Sequence, residues 1–310
     1  MRAASLALLA LACGAAAPPA PEEPEVAPPG FEPAGPPMPF APPEVLPAVS
    51  APGLAESSGV APSLLHPGTF WTLNDSGNPP ELFRFDLEGH LLERRLVEGL
   101  TNRDWEDLAS GPCPERDTPC LYIAEIGDNK RRYGHVAVFA VREPPPDAAP
   151  DQPAQRVAHW WARYPDGARN AETLLRDPGT GRLYLVTKEK SGASEVFRFP
   201  ERPADEVGVL EKVADVAFPG ESDEFRQATG GSWSADGRRV IVRTYMVAWE
   251  WDVDPAHPEA FWTEPPRRAW LALEQQGEGI TYLPDGALLT TSEGEPMAVD
   301  VVRRSARIPP

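Results

Sequence analysis

Residues 104–129 read DWEDLASGPCPERDTPCLYIAEIGDN. The stretch opens on Asp104, Glu106 and Asp107, passes a loop bounded by Cys113 and Cys120, climbs the apolar run 121–124, and ends on Glu125, Asp128 and Asn129. Two strands joined by a tight loop make a hairpin. In an antiparallel hairpin the start of the first strand lies beside the end of the second. Both polar clusters are therefore expected at one end, and the cysteine loop at the other.

The same plan recurs along the chain. It appears in residues 56–78 (from ESSG to NDSGN), in 170–189 (NAET, a DPGTG turn, TKE), in 228–245 (ATGGSW, an ADG turn, VIVRTY) and in 277–293 (GEGI, a PDG turn, LLTTSE). With Glu56, Glu106, Glu172, Thr229 and Glu278 as register marks, the intervals are 50, 66, 57 and 49 residues. After the inner hairpins come alternating or aromatic segments at 81–86, 136–141, 195–199 and 248–252, with further strands expected at 157–164 and 210–218. Four strands in a unit of about 50 residues is the pattern of a β-propeller. The fold class expected is all-β, with five blades, or six if one hides in the 66-residue interval. The fifth unit lacks an outer strand; residues 44–49 (EVLPAV) can supply it and close the ring, which removes the sheet edge.

The rest of the chain sets the context. Residues 1–13 (MRAASLALLALAC) carry one Arg and an apolar run too short to span a membrane, and read as a lipoprotein-type export signal with Cys13 as the lipidated residue. Residues 14–47 are rich in Pro and Ala and read as a disordered tether, leaving 48–310 as the propeller domain. The two remaining cysteines, Cys113 and Cys120, are expected to form a disulfide, as fits an oxidising compartment. The expected location is outside the cytoplasm: a monomeric lipoprotein facing the periplasm or the cell surface, with the outer membrane favoured and membrane contact only through the anchor. A net charge of −18 argues against nucleic acid as a partner.

Hairpin geometry makes a sharper claim. The starts of the inner strands and the ends of their partners must share one rim, which gathers Glu56, Asp75, Glu106, Asp128, Asn129, Glu172, Lys188, Arg243, Tyr245, Glu278 and Glu293. Carboxylates packed this closely repel. They persist if a cation joins them, if fixed positive side chains balance them, or if some take up protons. Lys188, one of four lysines, and Arg243 are candidates for the balancing role. Calcium suits an all-oxygen set, whereas the five histidines show no zinc-ligand spacing. Inner-strand acids can also simply hydrogen-bond the next blade, a reading strongest for Asp107 and Glu189. Phosphate-cradling loops, GxSxG, HExxH and EF-hand patterns are absent from the sequence.

The motifs DWED, IGDN, NAE, TGGS and GEGI with SEG resemble those of a group of bacterial β-propeller (lipo)proteins and, more distantly, the SdiA-regulated and NHL-type propellers. The resemblance spans roughly residues 53–303 and implies the propeller fold. Calcium-dependent lactonase-like and phytase-like propellers share that architecture, with acidic and amide ligands around the channel. By that likeness Glu56, Glu106, Asn129, Glu172 and Glu278 would form a metal set. Two functions follow as expectations. One is a propeller that binds a ligand or an exported protein at an acidic mouth through Asp75, Glu106, Asp128, Lys188, Arg243, Tyr245 and Glu293. The other is a calcium-dependent hydrolase of esters, lactones or phosphoesters, with Glu106 or Glu172 as base and Lys188 or Arg243 steadying negative charge.

Overall fold

A computed structural model describes residues 40–305. The export signal, Cys13 and most of the Pro-rich segment lie outside the described residues. The innermost strands of the five sheets are Ser57–Pro62, Trp105–Cys113, Ala171–Arg176, Ala228–Trp233 and Gly277–Tyr282. Each pairs antiparallel with the strand that follows it, and each sheet carries at least four strands. The fold is a five-bladed β-propeller. No sixth blade occupies the long second interval. Its length goes into the extended hairpin of Trp105–Cys113 and Arg116–Glu125 and into the strands Val136–Arg142 and Arg156–Arg163.

The fifth sheet is completed from the other end of the chain. Glu44–Val45 pairs antiparallel with Val299–Val302, and isolated bridges join Phe40 to Arg304 and Val49 to Met297. The ring is thus fastened by the N-terminal segment, and pairing begins at Phe40, upstream of residue 48. One element has no counterpart in the sequence pattern: Ala204–Val209 adds a parallel fifth strand outside Arg156–Arg163 in the second blade. Helix among the described residues is limited to the single turns Asp223–Arg226 and Ala260–Thr263.

Why these strands read as unbroken apolar runs is clear from where the core lies. Each pair of neighbouring blades encloses its own apolar cluster, so middle strands are buried on both faces. Leu174 and Leu185 pack toward the second blade with Tyr122 and Trp160, whereas their chain neighbours Leu175 and Tyr184 pack toward the fourth with Trp233 and Trp249. The other three interfaces are built the same way, for example Trp71 and Leu73 against Ile123 and Phe139. Each such side chain contributes roughly 1.5–3 kcal/mol by leaving water.

The Cys113–Cys120 disulfide closes the hairpin at the end of the molecule opposite the carboxylate rim. Polar knitting fastens the centre. Asp107 is fully buried and accepts N–H bonds from Leu108 (2.8 Å), from Leu174 of the third blade (2.8 Å) and from Gly231 of the fourth (3.3 Å). Burial pushes its pKa well up, while the three donors pull it back. Its carboxylate thus ties three blades together inside the channel. Asp107→Ala would leave those N–H groups unsatisfied, and chemical denaturation should show a loss of about 2–4 kcal/mol. A loss under about 0.5 kcal/mol would remove the knitting role.

Candidate functional site

A register shift interrupts the pairing of every innermost strand at the same place. It falls between Ser57 and Gly59, Trp105 and Asp107, Ala171 and Thr173, Ala228 and Gly230, and Gly277 and Gly279. The extra residues are Ser58, Glu106, Glu172, Thr229 and Glu278. A bulge leaves its extra residue unpaired and re-aims the side chain. All five are buried, and the glutamates approach closely enough that Glu172 raises the pKa of both Glu106 and Glu278. Ser58 donates to Glu106 at 3.4 Å. In the first blade the residue equivalent to Glu106 is therefore Ser58. Glu56 sits two residues earlier, in the same place as Asp104, Asn170, Gln227 and Gln276, each of which can offer a side-chain oxygen.

Above this layer lie residues from the ends of the partner strands. One oxygen each from Asp75, Asp104 and Glu106 come within 4.8 Å of one another. None of the three has an ion pair among the described residues. The IGDN turn presses on them from the side: a Cβ at Gly127 would run into the carboxyl groups of Glu106 and Asp104. Desolvation raises the pKa of Asp75, and desolvation with the Asp75 charge raises Asp104 to about 6. Glu106 is raised well above the ordinary range by burial and then by Glu172, Asp75, Asp104 and Glu278. Glu278 behaves alike, and desolvation with the charges of Asp75 and Glu56 brings Glu293 to about 7.

Lys188 is the ammonium within this crowd. It donates to Glu172 at 2.5 Å and to the Tyr245 hydroxyl at 2.6 Å. Burial works against its charge, but Glu172 and Glu278 overturn that and hold the pKa well above the ordinary lysine value. Burial still raises Glu172 in spite of Lys188. One ammonium therefore balances one carboxylate and leaves the rest in surplus. Two acceptor oxygens at this end, Asp128 Oδ1 and Glu278 Oε2, are buried without a hydrogen-bond partner among the described residues.

The other expected residues are placed as follows. Glu56 stands at the outer lip and accepts from Asn78 at 2.5 Å. Asn129 accepts from Asn170 at 3.2 Å, beside Asp128, whose other oxygen accepts from Tyr133 N–H at 2.7 Å. Arg243 lies behind the bulge layer, where its guanidinium packs against Gly277 and its charge offsets part of the rise at Glu278. It is fully buried, paired with Glu274 at 2.5 Å, and donates to the carbonyls of Gly279 at 3.0 Å and Tyr245 at 3.3 Å. These contacts join the fourth and fifth blades and spend the guanidinium on structure. Glu189 pairs with Arg131 at 2.7 Å on the outer surface. Of the proposed metal set only Glu106 belongs to the compact triad, and Asp104 is the member that sequence reasoning passed over. Its signal is the oxygen-bearing residue two positions before the bulge residue in all five units, which comes into line only once Ser58 replaces Glu56 as the mark of the first.

No family model matches the chain, and no curated protein matches it. Among solved structures it is similar to the apo form of the soluble aldose sugar dehydrogenase of Escherichia coli, at 12% identity and TM-score 0.48, with 84% of this chain and 99% of that one covered. It is also similar to the calcium structure of a Trichoderma reesei carbohydrate-active enzyme of family AA12, at 14% identity and TM-score 0.43, with 80% of each chain covered. A third neighbour comes from a nidogen/laminin complex, at 13% identity and TM-score 0.41, covering 77% of this chain and 73% of that one.

Proposed function

We propose that the protein is an exported propeller that binds a divalent cation of the calcium class at its acidic mouth and, with it, an oxygen-rich ligand or an exported partner. The observation that carries this reading is the triad of Asp75, Asp104 and Glu106, with oxygens within 4.8 Å and no ion pair to any of the three among the described residues. Like charges this close are relieved by protons or by a cation. The donors are carboxylates and amides only, the hard oxygen set that suits calcium. The unpartnered oxygens of Asp128 and Glu278 add to the same demand. Asp75, Asp104 and Glu106 would hold the ion, which would supply positive charge for ligand oxygens. Tyr245, Glu293 and Asn129 would be further contacts for the bound ligand, and Lys188 pairs with Glu172 in the layer beneath. The disulfide supports an oxidising compartment, and Cys13 is proposed as the lipid-bearing anchor at the outer membrane.

A second reading, calcium-dependent hydrolysis of an ester, lactone or phosphoester, is favoured by Glu293. With a pKa of about 7 at the mouth, it is poised to exchange protons near neutrality. Glu172 is engaged by Lys188 and Arg243 by Glu274, so Glu293 rather than Glu172 would serve as base on this reading. Loss of turnover in Glu293→Gln, with calcium affinity retained, distinguishes it from binding alone.

Thermal melts of the full chain in chelator and in calcium test the cation. A ligand at a hundredfold excess over its Kd adds about 2.7 kcal/mol, or roughly 5–10 °C for a domain of this size. Glu106→Gln and Asp104→Asn should abolish the rise, and each should melt higher than the parent in chelator because a crowded charge is gone. A flat response to calcium in the parent would sink the cation site.

The pH response has a definite sign. Asp104 and Glu293 have folded pKa values of about 6 and about 7, above their unfolded values, and Glu106 and Glu278 are raised as well. The folded state then binds more protons than the unfolded state between about pH 4 and 7, so its stability falls as pH rises through that window. In chelator the midpoint at pH 5 should exceed that at pH 7.5, and calcium should narrow the gap. A midpoint in chelator that climbs with pH would contradict the assignment.

A further inference from the structure

The far end of the channel holds a second feature, unrelated to the acidic mouth. A cavity of about 660 Å³ opens there among the ends of the innermost strands and the Asp-Gly turns. That volume falls in the range of small-molecule sites, roughly 300–1,000 Å³. Asp107, fully buried and bonded to the third and fourth blades, stands between this cavity and the Glu106 layer. The lining of the far cavity shares none of the residues of the acidic mouth. Leu108, Ala109, Leu174, Pro178 and Leu283 give the far cavity an apolar wall.

Charge at this wall is distributed unevenly. The acids are already engaged. Asp236 accepts from the Ser234 hydroxyl at 2.6 Å and from Arg238 N–H at 3.0 Å, and Asp285 accepts from Ala287 N–H at 3.0 Å and lies 3.8 Å from Arg303. Arg176 is different. Its guanidinium lies 4.9 Å from the Tyr122 ring centroid and packs against the backbone of Gly111, where a Cβ would collide with it. It donates to the Pro112 carbonyl at 3.4 Å and to the Tyr122 hydroxyl, neither of which carries a charge. It makes no ion pair with any described residue, and its Nε is buried without an acceptor. Trp233, also at the wall, holds a buried indole N–H in the same condition, its ring fixed by Tyr184 and Phe261. Arg239, on the same wall, forms one long ion pair among the described residues, with Asp236 at 3.8 Å.

We propose that this cavity is a second binding site, for a small amphiphilic anion: an apolar body bearing a carboxylate. A guanidinium held flat against an aromatic ring and a glycine is pre-oriented, and arginine pairs with a carboxylate through two parallel hydrogen bonds. The apolar wall takes the body of the ligand, and the Arg176 end takes its head. In chelator, with no cation bound, the acidic mouth carries surplus negative charge and would reject the same molecule, so the titrations below are run in chelator.

Calorimetric titration of the full chain with decanoate, decanol and decyltrimethylammonium tests the proposal. Decanoate should bind one to one, and the neutral and cationic analogues at least tenfold more weakly. Arg176→Gln should weaken decanoate at least tenfold, while Asp75→Asn at the opposite mouth should leave it within twofold. If Arg176→Gln does not fold, quenching of tryptophan emission by 2-bromodecanoate in the parent and in Trp233→Phe reports the same site, with quenching reduced in the variant. Lack of saturable decanoate binding below millimolar concentration would overturn the site. So would equal affinity for decanol, or an unchanged affinity in a folded Arg176→Gln. None of these results depends on whether calcium binds at the acidic end.

Discussion

Repulsion between buried carboxyl groups is the constraint around which this molecule is arranged. Five bulges turn one residue each toward the channel, and three of the five are glutamates. Asp75, Asp104 and Glu293 add to the charge above them, while Lys188 balances Glu172. Such a cluster is costly to stability while it is charged, because an uncompensated buried charge costs several kcal/mol. The apolar clusters between the blades supply the stability that carries it. Held by packing on both faces, the inner strands cannot splay to relieve the mouth.

Adjacent residues show how the same chemistry is put to opposite uses. Asp107 turns into the ring, finds three N–H donors and fastens it. Glu106, one residue earlier and displaced by the bulge, receives one weak hydroxyl bond and is left among other acids. Arg243 and Lys188 divide in the same manner: the arginine is spent on Glu274 and on carbonyls between blades, and the lysine stays at the mouth. Position relative to the bulge, more than residue type, decides which group is structural.

Much of this was legible in the sequence. The recurrence of hairpin, turn and polar ending is a local property, and it carried the five blades, the shared rim, the closing strand near residue 44 and the disulfide. The bulge was not legible, because an inserted residue looks the same as a regular one until the partner strand is in view. The repeat in the sequence therefore puts the first-blade mark on Glu56, whereas in the fold Ser58 holds that place, and it gives Asp104 no mark at all. Arg243 read as a rim cation because its partner Glu274 lies 31 residues on, in the next blade. The parallel strand Ala204–Val209 escaped notice since its side chains are mostly exposed and give no apolar period.

The central claim is that the crowded acids exchange protons for a cation. Titrating calcium into the full chain at pH 6.5, in two buffers of different ionisation enthalpy, measures this directly. Saturable one-to-one binding is expected, with an apparent enthalpy that differs between the buffers and net release of protons as the ion displaces them. Binding without proton release, or no binding at all, would contradict it and return the acidic mouth to the role of a protonated structural cluster.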